Sequence, residues 1–415
     1  MALRAEQPAE RVNDRPAAIS VDGFKGINNR LDPSALGLEH FLSADDAICD
    51  AASYVCRRPG ISTDAIGPFV DMHGTRDGRL LLVGEDGVLY RRADGALEPL
   101  AQDFIGGPFS WAELGYAVFA SSSRAAWAVY PDRVVPFGVP QCPAPRLLSH
   151  PTGERVFRVA CVFQAPDGRV GGTSQVVSAL GTDAGEVIVT PPSLAGYLTR
   201  VYASAPDGAE LFHVATVTSS TAFGLDVRLR GGPLDTLHAY PPPLSDCIAS
   251  RRNQIVSAVW EPEQDRSVLY LSRAENPHVF DLDRAFQMVP GRVVLMAETP
   301  RGLTIGTETA IYIDPVDTPT RQVADFGVRS TNYARGDDSS VYFWTSRGLC
   351  RSDSQLELLT DAQFAVRPRA RATVAHLTWR GSRYIVAHQG GVQRYGGLLS
   401  HDPTPIEIQH PHEVT

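Results

Sequence analysis

A short strand–turn–strand unit recurs along this chain, and it constrains the fold more than any other feature. Each copy has an apolar strand, a tight turn that carries Gly or Ser, and a second short strand. One such hairpin cannot bury its apolar faces alone, so copies at intervals of roughly 35–45 residues predict small sheets stacked next to one another. Four clear copies and two looser ones span residues 80–90, 303–312, 341–350, 384–393, 117–129 and 255–271.

This repetition predicts an all-β protein, most economically a β-propeller of about six blades. The alternative is a β-sandwich whose hairpins resemble one another by accident. The sequence has no sustained helical period, and only residues 34–53 are expected to form one or two short helical turns.

The repeat stops between about residues 150 and 240, where the pattern changes. Residues 155–163 alternate between polar and apolar side chains, and further short strands are expected at 186–189, 199–203 and 211–215. Short alternating strands with turn signals at about every 8–12 residues are typical of a small immunoglobulin- or fibronectin III-like β-sandwich. We therefore expect a β-sandwich inserted between the early and late blades, followed by a stiff proline-rich linker at 241–243.

These patterns divide the chain into five parts. The expected parts are a flexible N-terminal arm (1–20), the first part of the propeller (21–150), the inserted β-sandwich (151–242), the second part of the propeller (243–400) and a C-terminal tail (401–415).

The charge balance argues against a protein that grips nucleic acid. The formal net charge is −9, and Lys25 is the only lysine among 38 cationic side chains. Phosphate contacts dominate affinity for nucleic acid, and an acidic chain without basic clusters supplies few of them. The same charge is compatible with a surface along which DNA slides without sticking. No apolar run approaches the roughly 18 residues that span a bilayer, so no membrane anchor is expected.

Motifs for chemistry are missing from the sequence, and we expect neither an enzyme nor a cofactor or metal site. The Gly-x-Ser-x-Gly elbow, phosphate-binding loops and calcium loops do not occur. Five tryptophans could form a sugar platform, but their positions favour one aromatic filling the wedge of each blade. The six cysteines form no C-x-x-C pair and are expected to be buried thiols: Cys49, Cys56, Cys142, Cys161, Cys247 and Cys350.

The N-terminal region carries a more specific pattern. Residues 23–30 read GFKGINNR, a spacer with Asp45-Asp46-Ala47 follows, and residues 57–60 read RRPG. This pattern resembles the opening of tail nozzle, tail tube and head-completion (packaged-DNA stabilisation) proteins of short-tailed bacteriophages. Later segments are similar to that family in the same order: 250–256, 268–280, 302–312 and 326–344.

The resemblance implies an assembly role for two groups of residues. Gly26, Asn28 and Asn29 are expected to shape a turn where the N-terminal strand closes the propeller, since Gly and Asn tolerate positive φ. A second structural turn is expected at Arg57, Arg58, Pro59 and Gly60, with the arginines available to a neighbouring subunit. The alternative is that both groups form internal turns only.

The function implied by the resemblance is that of a structural protein of the virion. Family members form a ring, a hexamer, below the portal and adaptor of the head–tail connector, and double-stranded DNA leaves through its lumen during ejection. Expected partners are copies of the same chain, portal and adaptor proteins, tail fibre or tail tip proteins, and DNA that passes without specific binding. The protein would be assembled in the host cytoplasm and reside in the phage tail. The alternatives are a receptor- or glycan-binding propeller and, less favoured, a polysaccharide hydrolase.

Overall fold

The computed structural model of this chain is all-β. Among the described residues there is no α-helix, and the two short 3₁₀ turns are Pro33–Ala35 and Pro262–Gln264. No helix in this part of the chain is long and apolar enough to cross a bilayer. The structure describes residues 23–28, 30–45, 47–49, 54–57, 67–93, 96–183, 186–226, 231–315, 318–353, 355–361, 372–379, 382–388 and 407–409.

The N-terminal region forms short strands instead of the helical turns expected at 34–53. Among the described residues of this region, only Pro33–Ala35 is helical, and there the Asp32 side chain accepts a hydrogen bond from the Ser34 N–H at the N-terminus of the turn. The first two strands pair in parallel, and the fourth and fifth form a hairpin. The strands are β1 (Gly26–Ile27), β2 (His40–Phe41), β3 (Ser43–Asp45), β4 (Ala47–Cys49) and β5 (Val55–Arg57).

Two four-stranded antiparallel sheets follow, each a meander in chain order. We name them sheet I and sheet II. Sheet I consists of β6 (Phe69–Gly74), β7 (Leu80–Gly84), β8 (Leu89–Ala93) and β9 (Ala96–Ala101). Sheet II consists of β10 (Ser110–Leu114), β11 (Ala117–Ser121), β12 (Ala126–Val129) and β13 (Val134–Pro136).

Between sheet II and the next meander lies a unit of two sheets. A three-stranded sheet has the order β14-β18-β21, and a five-stranded sheet has the order β16-β15-β19-β20 with β17 also paired to β15. Both sheets contribute to one hydrophobic cluster that includes Phe157, Val189 and Val201. The strands are β14 (Arg146–Leu148), β15 (Arg155–Gln164), β16 (Val170–Thr173), β17 (Val177–Gly181), β18 (Ile188–Thr190), β19 (Leu198–Ser204), β20 (Leu211–Val217) and β21 (Phe223–Gly224).

Four more antiparallel sheets complete the described chain, and we name them III to VI. Sheet III is β22 (Cys247–Arg251), β23 (Gln254–Glu261), β24 (Arg266–Arg273), β25 (Asn276–Phe280) and β26 (Phe286–Pro290). Sheet IV is β27 (Val293–Thr299), β28 (Gly302–Thr307), β29 (Ile311–Pro315) and β30 (Arg321–Ala324). Sheet V is β31 (Val328–Arg335), β32 (Val341–Thr345), β33 (Gly348–Ser352) and β34 (Leu356–Leu358). Sheet VI is β35 (Thr373–Trp379) and β36 (Ser382–His388).

The last described strand comes from the expected C-terminal tail. Strand β37 (Glu407–Gln409) pairs antiparallel with β3, so the two ends of the described chain meet in one small sheet.

The predicted hairpins are the second and third strands of the meanders. The pairs β7–β8, β11–β12, β23–β24, β28–β29 and β32–β33 are antiparallel, which confirms five of the six hairpins. The sixth hairpin, at 384–393, lies partly outside the described residues. Leu81, Leu82 and Val83 of β7 are all buried. Successive side chains point to opposite faces of the sheet, so both faces of β7 are covered, one of them by the next sheet.

The hydrophobic core is divided among the contacts between successive sheets. Each neighbouring pair, from I–II to V–VI, has its own cluster of buried side chains. Full burial of one large apolar side chain stabilises the fold by roughly 1.5–3 kcal/mol. The sheets therefore stabilise one another in series; central members of the five clusters are Phe104, Phe137, Ile305, Phe343 and Trp344.

Candidate functional site: the central cavity

The first strands of the six sheets line one cavity of about 1870 Å³. Strand β10 lies beside β22, β22 beside β27, β27 beside β31 and β31 beside β35. Strand β6 is joined to β10 by hydrogen bonds from Phe109 and Trp111 to Asp71. Residues from all six of these strands line the cavity.

Neighbouring first strands run in the same direction around the cavity. The hydroxyl of Ser110, at the start of β10, accepts from the Ile248 N–H at 2.9 Å near the start of β22. At the opposite end of β22, the Ser250 hydroxyl donates to Glu298 near the end of β27, at 3.0 Å. The cavity therefore has two distinct ends, which we name the N-terminal mouth and the C-terminal mouth after the strand ends that form them.

Asp71 joins sheets I and II by accepting three hydrogen bonds. Its carboxylate accepts from the Phe109 N–H at 2.7 Å, the Trp111 indole N–H at 3.1 Å and the Met72 N–H at 2.8 Å. Burial raises the pKa of Asp71 above its usual value, and the hydrogen bonds offset only part of that effect. Asp71 is consequently a structural acceptor.

A second link between these sheets lies nearer the C-terminal mouth. The His73 ring stacks on Trp111 with a centroid distance of 5.2 Å, and its Nε2 lies 3.2 Å from Glu113 Oε1. The Arg76 N–H also donates to Glu113, at 2.9 Å. Burial opposes ionisation of Glu113, but its bonds to His73 and Arg76 outweigh it and lower the pKa of this carboxyl.

Glu298 is the centre of the polar network at the C-terminal mouth. Arg76 Nη2 lies 2.8 Å from its carboxylate, which also accepts from the Ser250 hydroxyl at 3.0 Å and the Arg252 N–H at 3.1 Å. The Arg335 guanidinium donates to the Glu298 carbonyl at 2.8 Å. Burial works against the charge of Arg76, but Glu298 raises the pKa of its guanidinium. One glutamate thus connects sheets I, III, IV and V.

The cavity wall has the opposite charge balance to the whole chain. It carries six arginines against four carboxylates, whereas the formal net charge of the protein is −9. Five of the six arginines lie at the C-terminal mouth, with Glu113 and Glu298 as the carboxylates there. We name this group the arginine mouth; its members are Arg76, Arg251, Arg252, Arg301 and Arg335.

The acidic groups of the wall are engaged in bonds that hold the sheets together. Asp71, Glu113 and Glu298 accept the bonds given above, and Asp246 accepts from the Ser123 N–H at 2.9 Å. Hydrolysis of a glycoside needs an acid and a second carboxylate facing each other across the substrate. In the described wall, the carboxylates instead accept hydrogen bonds from N–H and O–H groups of the protein itself. No group of three or more metal-ligating side chains occurs among the described residues.

Three of the seven residues expected from the sequence to act in assembly are among the described residues, and none of the three lines this cavity. Gly26 lies in strand β1, where it pairs with His40 of β2. Asn28 is buried, and its side chain accepts from the Arg30 N–H at 3.1 Å, which closes a local turn. Arg57 ends strand β5. The other four, Asn29, Arg58, Pro59 and Gly60, lie outside the described residues.

Four of the six cysteines are in the described core, and all four are buried and free, as the sequence predicts. Burial raises the pKa of Cys247 and of Cys350 to about 12, which keeps both as inert thiols. Trp111 and Trp344 are also buried, in the clusters between sheets I and II and between sheets V and VI.

No family model matches the chain, and no curated protein matches it. Among solved structures, it is similar to the extracellular domain of a putative one-component system from B. thetaiotaomicron, with 11% identity over 79% of this chain and 38% of that one, at a TM-score of 0.30. It is similar to PorZ of the type-IX secretion system of Porphyromonas gingivalis, with 12% identity, 78% and 46% coverage and a TM-score of 0.21.

A third similar structure is apo AztD from Citrobacter koseri, with 13% identity, 86% and 98% coverage and a TM-score of 0.26. The chain spans less than half of each of the first two proteins. Similarity at these TM-scores carries no argument about the function of this chain.

Proposed function

We propose that this chain is a structural virion protein of a bacteriophage tail, a nozzle or hub subunit that forms an oligomeric ring below the portal and adaptor. In this proposal sheets I to VI are the blades of a six-bladed β-propeller. Two observations support the propeller: the first strands run in the same direction around one cavity, and each sheet shares a hydrophobic cluster with the next.

We propose that the two-sheet unit between sheets II and III is the inserted immunoglobulin- or fibronectin III-like sandwich. Its support is the shared cluster between a three-stranded and a five-stranded antiparallel sheet. Arg169 of the insert donates to the Phe137 carbonyl at 2.9 Å, and His278 of β25 lies 3.3 Å from the Val170 carbonyl of the insert. In this proposal such bonds orient the insert on the propeller.

The observation that carries the functional proposal is the order of the family-like segments along the sheets. Residues 250–256 span β22 and β23, residues 302–312 span β28 and β29, and residues 326–344 reach from the start of β31 into β32. Each segment is short and apolar, so a single match means little. The order of these segments along three consecutive sheets is the order of the similar segments in the nozzle family.

The ring proposal requires the DNA path to lie between copies of the chain. Arg76 of sheet I reaches Glu298 of sheet IV at the C-terminal mouth, so a side-chain pair lies over the cavity of the single subunit. The bulk charge of −9 fits a lumen wall that repels phosphate and lets a duplex slide.

A glycan-binding propeller is the second candidate, and a hydrolase the third. A glycan binder would present exposed aromatic rings on one face, but Trp111 and Trp344 are buried in the contacts between sheets. A hydrolase would present a pair of carboxylates with divergent pKa values. The hydrogen-bonded carboxylates of the cavity wall favour neither candidate over the ring.

The proposal is tested by the mass of the purified chain in solution, alone and after mixing with the portal and adaptor proteins of the same phage. We expect a ring, for which six copies of 44.9 kDa give about 269 kDa, and a larger complex with the adaptor. A chain that stays at 44.9 kDa in both samples and cleaves a surface polysaccharide would overturn it.

A further inference from the structure

The arginine mouth concentrates positive charge at one end of the cavity. Five guanidinium groups lie there with two wall carboxylates and with Asp314, which pairs with Arg251. The remaining wall arginine, Arg124, lies toward the other end with Asp71 and Asp246. Such a difference between the two ends of one cavity produces a field that attracts anions to the C-terminal mouth.

Two guanidinium groups of the mouth, and the backbone of a third arginine, contact one residue. Arg76 contacts the Glu298 carboxylate, Arg335 contacts the Glu298 carbonyl, and the backbone of Arg252 donates to the same carboxylate. Arg301 follows three positions after Glu298, in the turn between β27 and β28, and also lines the cavity. A small ligand beside Glu298 can therefore reach the Arg76 and Arg335 guanidinium groups together.

The ion pairs described at the arginine mouth involve only two of its five arginines. Arg251 is paired with Asp314 at 3.1 Å, and Arg76 is paired with Glu298. Arg301 is exposed, and within the described part of the chain its guanidinium has no hydrogen bond or ion pair. Guanidinium groups bind phosphate and carboxylate oxygens in pairs of parallel hydrogen bonds.

We propose that the arginine mouth is a binding site for a small polyanion that carries several phosphate or carboxylate groups. The ligand contacts Arg301 directly, and the other arginines of the mouth supply further positive charge around it. The cavity exceeds the usual 300–1000 Å³ of a ligand pocket, so the ligand occupies the C-terminal mouth and not the whole space. This site goes beyond the ring proposal and does not depend on it.

The test is isothermal titration calorimetry of the full chain with sodium tripolyphosphate, with citrate, and with a short DNA duplex. Binding of tripolyphosphate or citrate is expected, and the stronger of the two identifies the oxyanion class. Addition of salt is expected to weaken binding, because the contacts are ionic. The proposal is overturned if neither small anion binds at low salt, or if the duplex binds more tightly than both.

Variants decide whether the mouth is the site. The double variant Arg252→Gln/Arg301→Gln is expected to weaken tripolyphosphate binding about tenfold or more. The matched control Arg146→Gln/Arg329→Gln removes the same charge from exposed arginines outside the cavity lining and is expected to change binding less than twofold. Equal weakening in both would overturn the proposal in favour of diffuse charge attraction.

Two further measurements keep the result interpretable. The single variant Arg301→Gln removes a side chain without a described partner, so it is expected to unfold at the same temperature as the wild type and still bind more weakly. The variant Arg301→Lys keeps the charge but loses the paired geometry, and intermediate affinity is expected. Unchanged affinity in Arg301→Gln contradicts the proposal. The mass of the chain tests ring formation separately.

Discussion

At the scale of single residues, the polar side chains that matter most are those buried or half-buried where two units meet. Asp71, His278 and Glu298 each bond to a neighbouring sheet or to the two-sheet unit. A buried polar group that loses its partner costs about 1–3 kcal/mol, so these positions are more sensitive than the exposed ion pairs.

His278 makes stability depend on pH. It is buried at the contact between β25 and β16, 3.3 Å from the Val170 carbonyl, with Arg169 and Asp167 as the nearest charged groups. Burial first, and Arg169 second, lower its pKa from 6.5 to about 4. The unfolded chain therefore takes up a proton below pH 6.5 that the folded chain refuses until about pH 4. Stability is lost across that window, by about 3 kcal/mol at its lower end.

The measurement is urea unfolding of the wild type and His278→Gln at pH 7 and pH 4.5. The variant is expected to lose less stability on acidification than the wild type, while the control His150→Gln behaves like the wild type because His150 is partly exposed. Contributions from other groups, including the raised pKa of Asp71, cancel in this difference. Identical pH dependence in wild type and His278→Gln would show that His278 is not the source.

Asp71 is expected to be the most sensitive carboxylate of the wall. The change Asp71→Ala leaves the Phe109 N–H and the Trp111 indole N–H without an acceptor, and we expect a loss of about 2–4 kcal/mol in the free energy of unfolding. The matched variant Asp71→Asn keeps one carbonyl acceptor and is expected to cost about half as much. Chemical denaturation measures both, and equal losses would contradict the hydrogen-bond explanation.

At the scale of elements, the second and third strands of each sheet are predictable from sequence, and the outer strands are not. Strand β7 is a run of apolar residues next to a Gly87 turn with φ 76°, which is a strong local signal. The fourth strands are short or mostly exposed; β9 has no buried residue, and β13 covers three residues. Such strands form because the third strand presents an unpaired edge of backbone groups to them. The local sequence carries no signal of that tertiary contact.

The cavity could not be predicted from the sequence either, because it too depends on contacts between distant segments. Arg76 and Glu298 are 222 positions apart and meet only because the sheets come together in series. Neither residue belongs to a spaced motif, and each looks like an ordinary surface charge in its own segment. The pairing of Gly26 with His40 of β2 is likewise a contact that the local sequence does not signal.

The Arg76–Glu298 pair is expected to couple sheets I and IV weakly. The Arg76 side chain is 49% exposed and that of Glu298 is 23% exposed, so solvent screens the pair. A double-mutant cycle with Arg76→Gln and Glu298→Gln is expected to give a coupling energy of about 0.5–1 kcal/mol. Glu298→Gln alone is expected to cost more than Arg76→Gln, since Ser250 and Arg252 also donate to Glu298. Zero coupling would show that the pair does not join the sheets.

At the scale of the whole molecule, the two-sheet unit has a core of its own. Its cluster includes Val139 and Leu225 at the two ends of the segment, so residues 138–240 contain the complete set. We expect this fragment to unfold in one cooperative transition on heating or in urea. Circular dichroism checks it, with the truncated fragment 155–217 as a control that lacks β14 and β21 and should not fold. A gradual, non-cooperative transition in 138–240 would contradict an independent insert.

The whole-molecule account combines six sheets around a cavity with a ring of identical subunits. Electron cryomicroscopy of the chain mixed with its portal and adaptor proteins tests it most directly. We predict a closed ring of copies bound to the adaptor, with an axial opening wide enough for duplex DNA between the subunits. Isolated single copies, or copies attached to the side of the adaptor without an axial opening, would contradict it.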